Sequence, residues 1–378
     1  VGISSAISIY LGAEKQEEAN RAATIGVALT VVHCILFILA GIFITRPFLQ
    51  MFTKDSEVLK EACDYTYIVM CFSAGNLLQI AFEKIFQGIG EMKLTMFFLT
   101  AGCVINIILD PVLIFGLLGF PAMGVAGAAI ATVIGQFGAS FLYVIACLRK
   151  KYAVSIHPRY LHFDKKIIFQ IYNVGIPSSI MMALPSVLVS ILNGILAGFS
   201  EVYVAVLGVY YKLQTFIYMP TNGIAQGLRP IIGYNYGAGE VKRVKSAARY
   251  SLLCAAGIML LGTLLSLLVP ETIFGLFDAD TDLLSAGAEA LRIISLGFLV
   301  STIGVIYSGV FEGLGQGKRS LVISLLRQFV ITIPCSLLLA GVLGPKGVWI
   351  SFPAGEICAS VVALFLMRHF EKGKYAPI

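Results

Sequence analysis

Ten apolar runs, each long enough to cross a bilayer, decide what this chain can fold into. They fall at about 23–44, 64–87, 94–117, 123–147, 171–199, 202–226, 246–269, 287–311, 319–343 and 347–367. A hydrocarbon core about 30 Å thick needs ~17 or more such residues in a helix that rises ~1.5 Å per residue. Inside that core every backbone N–H and C=O must be satisfied within the protein, which long unbroken runs achieve as helices. Only 13% of the residues are charged and mean hydropathy is +0.89, whereas a soluble domain carries about 25%. The expected fold class is therefore an all-α polytopic membrane protein. Gly, Pro or charged residues separate the runs, and only the 149–170 connection is long.

The basic residues orient these spans. Of 27 lysines and arginines, 19 fall in the loops around Glu14, Glu91, His157, Gly239 and Gly317 and at the C-terminus, among them Lys372 and Lys374. The alternate loops hold four (Arg46, Lys54, Lys60, Lys346), and four more lie inside spans (Lys84, Lys212, Arg292, Arg327). Positive residues stay on the cytoplasmic side, so the first set, with the C-terminus, is expected in the cytoplasm of a multi-pass protein of the plasma (inner) membrane. The same placement answers the +6 net charge. Arg149-Lys150-Lys151 and Lys242-Arg243 sit at membrane edges without interleaved aromatics, which argues against a nucleic-acid partner. Eight cysteines are scattered without a CxxC pair, and the four histidines are equally dispersed, so no metal site or disulfide framework is expected. Residues 1–10 read as the tail of a helix, not as a signal peptide.

The second half repeats the first. Ile7, Gly12, Ala13, Ala22 and Ala23 match Ile232, Gly237, Ala238, Ala247 and Ala248 at an offset of 225, and Gly88, Gly90 and Lys93 match Gly313, Gly315 and Lys318 at the same offset. Gly127 matches Gly347 at an offset of 220. A register held this far indicates duplication. The spans at 171–199 and 202–226 lack first-half partners, apart from residues 1–10, so six spans per half is the expected parent design. The first span and most of the second, roughly 55–65 residues by the repeat period, would then precede Val1. Ten complete spans and a helical stub divide into an N-terminal lobe (1–148), an inter-lobe loop (149–170) and a C-terminal lobe (171–378). An even span number makes the halves parallel repeats about an axis along the membrane normal.

Particular segments then carry a resemblance. Met219-Pro220-Thr221-Asn222-Gly223-Ile224-Ala225-Gln226-Gly227, running on to Gly233-Tyr234-Asn235-Tyr236-Gly237-Ala238-Gly239, resembles the eighth-to-ninth-span connection of the multidrug and toxic compound extrusion family. Asn106-Ile107-Ile108-Leu109-Asp110-Pro111 resembles its fifth span, Gly124-Val125-Ala126-Gly127-Ala128-Ala129 its sixth, and Gly347-Val348-Trp349-Ile350-Ser351-Phe352-Pro353 its twelfth. The resemblance implies two six-helix lobes and an antiporter that exports organic compounds against proton or sodium entry. One branch of the family couples through an acid in the first span, which this sequence does not contain. Another carries acids in the seventh and tenth spans, and 171–199 and 293–311 contain none.

Other energy sources fit the residues poorly. Glu312-Gly313-Leu314-Gly315-Gln316-Gly317-Lys318-Arg319 approaches a phosphate loop, but Glu312 stands where that pattern needs Gly and Arg319 where it needs Ser or Thr. No nucleotide partner and no cofactor beyond the coupling ion is expected, and no constellation of catalytic groups points to an enzyme.

Charges buried in the spans are costly, about 2.5–3.5 kcal/mol each on insertion scales, and mark function by default. Asp110 lies ~25 Å above the cytoplasmic edge by helical rise. Asn106, four residues earlier, shares its face, and Pro111 frees the Ile107 carbonyl. Asp110 with Asn106 is the expected ion-coupling site of the first lobe, against the plainer reading that Asp110 only satisfies local donors. Lys212, Arg327 and Glu356 all reach ~14–15 Å depth, near the midplane, so Glu356 is expected to pair with Lys212 or Arg327. Tyr211, Tyr218 and Tyr307 are candidate cavity-lining aromatics, although span aromatics more often simply pack. Glu83 and Lys84 lie near a cytoplasmic span end and read as structural. The expected function is ion-coupled export of small amphipathic organic molecules by a monomer in membrane lipid. The alternative is a lipid-linked saccharide flippase of related two-lobe architecture.

Overall fold

The computed structural model describes residues 1–277 and 281–372; Lys374 and the Lys372 side chain lie outside the described residues. Every regular element described is helical. Among the described residues, eight helices are long and apolar enough to cross a membrane, and two bent helix pairs bring the number to ten. These ten coincide with the ten apolar runs. Helix α2 (Gln16–Leu49) is followed by α3 (Ser56–Cys71) and α4 (Ala74–Gly88), which form one span bent by 47°. Then come α5 (Met92–Phe115), α6 (Gly124–Arg149), α7 (Lys165–Ala197), α8 (Glu201–Gly237) and α9 (Val241–Leu268). The short α10 (Pro270–Gly275) precedes α11 (Thr281–Ser295) and α12 (Phe298–Gly313), a second bent span at 54°. Helix α13 (Gly317–Leu325) runs through a π turn (Leu326–Val330) into α14 (Thr332–Leu343), and α15 (Pro345–Lys372) is last.

Local chemistry sets the ends. Asp55 caps α3 by accepting from the backbone N–H groups of Glu57 and Val58. Ser200 accepts from Val202 N–H at the start of α8. Outward faces are apolar: Leu260, Leu261, Leu264, Leu265 and Leu268 on α9 are all exposed, as a surface in contact with lipid requires. Inside the C-terminal unit, Tyr210, Phe274, Phe298, Trp349 and Phe352 share one core cluster. In the N-terminal unit, Phe82, Phe86 and Phe98 gather round the buried Tyr143.

The duplication is written into the backbone. The bent pairs α3–α4 and α11–α12 begin at Ser56 and Thr281 and end at Gly88 and Gly313, both at an offset of 225. Their exit turns match bond for bond: Glu91 N donates to Phe86 O at 2.9 Å, and Gln316 N to Phe311 O at 2.8 Å. Gly90 and Gly315 take positive φ at those turns (85° and 75°), and Glu14 and Gly239 do so at another equivalent pair (59° and 72°).

The chain divides inside the expected inter-lobe segment, between Ile168 and Phe169, and at a second, unexpected point after Glu14. One compact unit is Lys15–Ile168; the other joins Val1–Glu14 to Phe169–Ile378. The first helix, α1 (Gly2–Gly12), expected in the N-terminal lobe, therefore sits with the C-terminal unit. The cause is a seam of small residues. A side chain at Gly12 would collide with the Tyr234 carbonyl, and one at Gly237 with the Ile9 carbonyl. Those contacts exchange under the 225 offset, so α1 and the end of α8 meet reciprocally, as surfaces do across a two-fold axis. Gly233 meets the hydroxyl of Ser8, its own equivalent at that offset, and so marks the axis.

Candidate functional site

In the N-terminal unit, Asn106 Nδ2 donates to Asp110 Oδ1 at 3.2 Å, one helical turn along α5. The same amide reaches Thr132 Oγ1 of α6 at 3.4 Å, and that hydroxyl donates to Ala128 O at 2.9 Å. Asn106 and Thr132 open onto a cavity of about 220 Å³ whose polar lining also includes Asn76, Gln79 and Gln136. Helix α5 continues unbroken through Pro111 to Phe115. The residues singled out from sequence thus lie together, and Thr132 with the three amides joins them. Their signal was present: Asn76 and Gln79 are three apart and Thr132 and Gln136 four apart, so each pair shares one face of its helix.

In the C-terminal unit, Arg327 Nε lies 3.7 Å from Glu356 Oε1, with both side chains largely enclosed. The expected pairing of Glu356 is met by Arg327 alone. Lys212 is exposed and forms no ion pair among the described residues. Depth agreement did not bring it in, because each helical step rotates ~100°: Tyr210 is buried, Tyr211 half-buried and Lys212 exposed. Tyr211 lines a cavity of about 70 Å³ with Gln214, Arg327, Gln328, Thr332 and Glu356. Tyr218 is buried and donates to Ser301 Oγ at 2.9 Å. Tyr307 packs against a different core cluster, around Val310 and Phe311, so the three tyrosines do not form one wall.

Two further networks lie near span ends. Glu312, 3% exposed, meets Arg229 Nε at 2.6 Å and accepts from Ser178 Oγ at 3.0 Å, which ties α12 to α8 and α7. The residue that spoils the phosphate-loop pattern is thus a helix lock, and the glycines after it form the turn between α12 and α13. At the equivalent place in the other unit, Gln87 bonds Glu83 at 2.8 Å and Lys84 at 3.0 Å.

A family model described as MatE matches residues 1–112 and 177–338. The multidrug export protein MepA of Staphylococcus saprophyticus is 26% identical over 371 residues, 97% of this chain and 81% of that protein. MepA of a Staphylococcus aureus strain is 24% identical over the same shares. Among solved structures, the outward-facing conformation of a multidrug resistance MATE family transporter of the MOP superfamily aligns with a TM-score of 0.91. It is 25% identical, and the alignment covers 98% of this chain and 82% of that one. A MATE structure in the bent conformation gives 0.89 at 26% identity with the same coverage. The family match runs through both units, over the helices that hold the Asn106–Asp110 and Arg327 groups, and the chain belongs to the MatE family of membrane transporters.

Proposed function

We propose that the chain exports small amphipathic organic compounds in exchange for protons or sodium, by alternating access. The observation that carries this reading is the Asn106–Asp110–Thr132 group, set in apolar helices beside a cavity of about 220 Å³. A carboxylate beside an amide suits ion coupling, because Asn106 can donate to the charged form and accept from the protonated one. An ion drives a two-state equilibrium only by binding its states unequally, and Asp110 is the group in that cluster whose charge can change. The relatives that bear the name multidrug export protein support the substrate class. The excess of basic residues in one set of loops supports a plasma-membrane protein with a cytoplasmic C-terminus. The protein is proposed to act as a monomer.

The test uses everted membrane vesicles and a fluorescent dye, with an imposed proton or sodium gradient in separate arms. One gradient drives dye transport, and Asp110→Asn abolishes that dependence while expression stays equal. Normal gradient-driven transport by Asp110→Asn removes the coupling role. Transport indifferent to both gradients removes antiport, and translocation of a lipid-linked saccharide in place of dye would favour the flippase reading.

A further inference from the structure

The small cavity of the C-terminal unit has more hydrogen-bonding capacity than its ion pair uses. Glu356 faces Arg327 with Oε1 at 3.7 Å, too long for a hydrogen bond. Its other oxygen, Oε2, is enclosed and has no donor among the described residues; the same holds for Gln328 Oε1 and Tyr211 Oη. All three residues line the same space, from α15, the π turn and α8. The Gln328 side chain is buried at 8% exposure, so its carbonyl is held in place and shielded. An enclosed polar atom without a partner is costly, and three on one wall mark a place for a ligand.

The backbone is shaped to present them. The π turn closes with Ile331 N donating to Leu326 O at 3.2 Å, and single π turns recur at functional sites. Here the turn brings the adjacent Arg327 and Gln328 both to the cavity wall, and the Thr332 hydroxyl takes up the Arg327 carbonyl. Opposite it stands Gly355, where a side chain would collide with Thr332 and the Arg327 carbonyl; glycine lets α15 close on the turn. Pro185, Leu188 and Phe352 complete the wall as apolar surface.

Charge and volume narrow the ligand. Arg327 and Glu356 cancel, so an uncharged group enters without leaving a net charge in the span. About 70 Å³ is room for one compact head group, given that a water occupies about 30 Å³. Two acceptors, Glu356 Oε2 and Gln328 Oε1, call for two donors, and Arg327 offers a donor in return. A primary carboxamide has that pattern: two N–H groups on one nitrogen and a carbonyl beside it. We propose that this cavity is a subsite for the primary carboxamide of an organic substrate, held by Glu356 and Gln328 through its nitrogen and by Arg327 through its oxygen. Tyr211 Oη is the fourth contact. The inference rests on the transporter reading only in calling the ligand a substrate, since binding is measurable without transport.

The probes are benzamide and N,N-dimethylbenzamide, titrated into the purified chain in lipid nanodiscs. Two readouts are used: equilibrium dialysis of labelled amide and the fluorescence of Trp349, the chain's one tryptophan. Trp349 lies on α15, two turns before Glu356. Benzamide is expected to bind saturably, at least about tenfold more tightly than the dimethyl compound, which lacks both N–H donors and so loses the charge-assisted bond to Glu356 as well as the bond to Gln328. Glu356→Gln and Gln328→Leu are each expected to weaken benzamide by about fivefold or more without changing the weak affinity for the dimethyl compound. Equal affinity for both amides, or unchanged benzamide affinity in a folded Gln328→Leu protein, overturns the proposal. So does the absence of saturable binding at any soluble concentration, which would leave the cavity to water. If Glu356→Gln unfolds, Gln328→Leu decides alone. Benzamide binding with no dye transport would sink the exporter and leave the subsite standing; transport without binding would do the reverse.

Discussion

The seam between α1 and α8 sets up a quantitative test of the duplication. Gly12 and Gly237 occupy equivalent positions, and each has a backbone carbonyl where a Cβ would stand. A carbonyl cannot rotate away as a side chain does, so Gly12→Ala must move one helix by roughly 1 Å. A gap of that size forfeits a quarter to a half of each contact it opens, and overpacking of this kind costs about 1–3 kcal/mol. Alanine returns up to about 1 kcal/mol of helix propensity, so the expected net loss is about 0–2 kcal/mol for Gly12→Ala and the same for Gly237→Ala. The double substitution should cost about 1 kcal/mol less than the sum, because the first displacement already makes room for the second. Gly223 lies on the same α8 with no neighbour within 4 Å of its Cβ position, so Gly223→Ala is the control and should be neutral to stabilising. The assay is reversible denaturant unfolding in detergent micelles, followed by circular dichroism. If both seam substitutions behave like Gly223→Ala, or if their costs add, the reciprocal contact is not as described.

Other perturbations separate the remaining features. Glu312→Ala leaves the Arg229 guanidinium without its partner (21% exposed as a side chain); by the same unfolding assay it should cost about 2–4 kcal/mol, discounted for that exposure, and Arg229→Met on top should recover part of the loss. Glu14 holds a left-handed φ of 59°, so Glu14→Gly should stabilise by up to about 1 kcal/mol, which a loss of stability would refute. Thr132→Val removes one of the two oxygens that the Asn106 amide reaches. In the vesicle assay it should weaken the driving ion's half-saturation by about two- to tenfold, the value of one hydrogen bond, without abolishing transport as Asp110→Asn does.

What could be read from the residues followed from periods longer than local structure. Apolar runs of spanning length located all ten spans, because bilayer thickness fixes how long such a helix must be. Depth along a helix was also legible, since rise per residue is constant; it placed Arg327 and Glu356 at one level. Direction around the helix was not, because each residue turns the side chain by ~100° and the sequence does not say which face meets its neighbours, and Lys212 was drawn into a cluster that it does not join. The π turn at Leu326–Val330 has no sequence signature of its own, yet it turns Gln328 to the same wall as Arg327. The Asn106–Asp110 pair was visible at four-residue spacing, whereas the contact of Asn106 with Thr132, 26 residues away on another helix, was not.

The placement of α1 shows the same limit from the other side. The repeat at an offset of 225 was plain, but a repeat alone says only which segments are alike. That like segments also touch, Gly12 on Tyr234 and Gly237 on Ile9, is a separate fact of packing. Small residues at the same register in both copies are what allow it: a reciprocal contact needs space on both helices at once. The duplication therefore did more than double the number of spans. By copying Gly12 as Gly237 it supplied both halves of a close-packed surface in one step, and the Ser8–Gly233 contact lies where that surface meets its own copy.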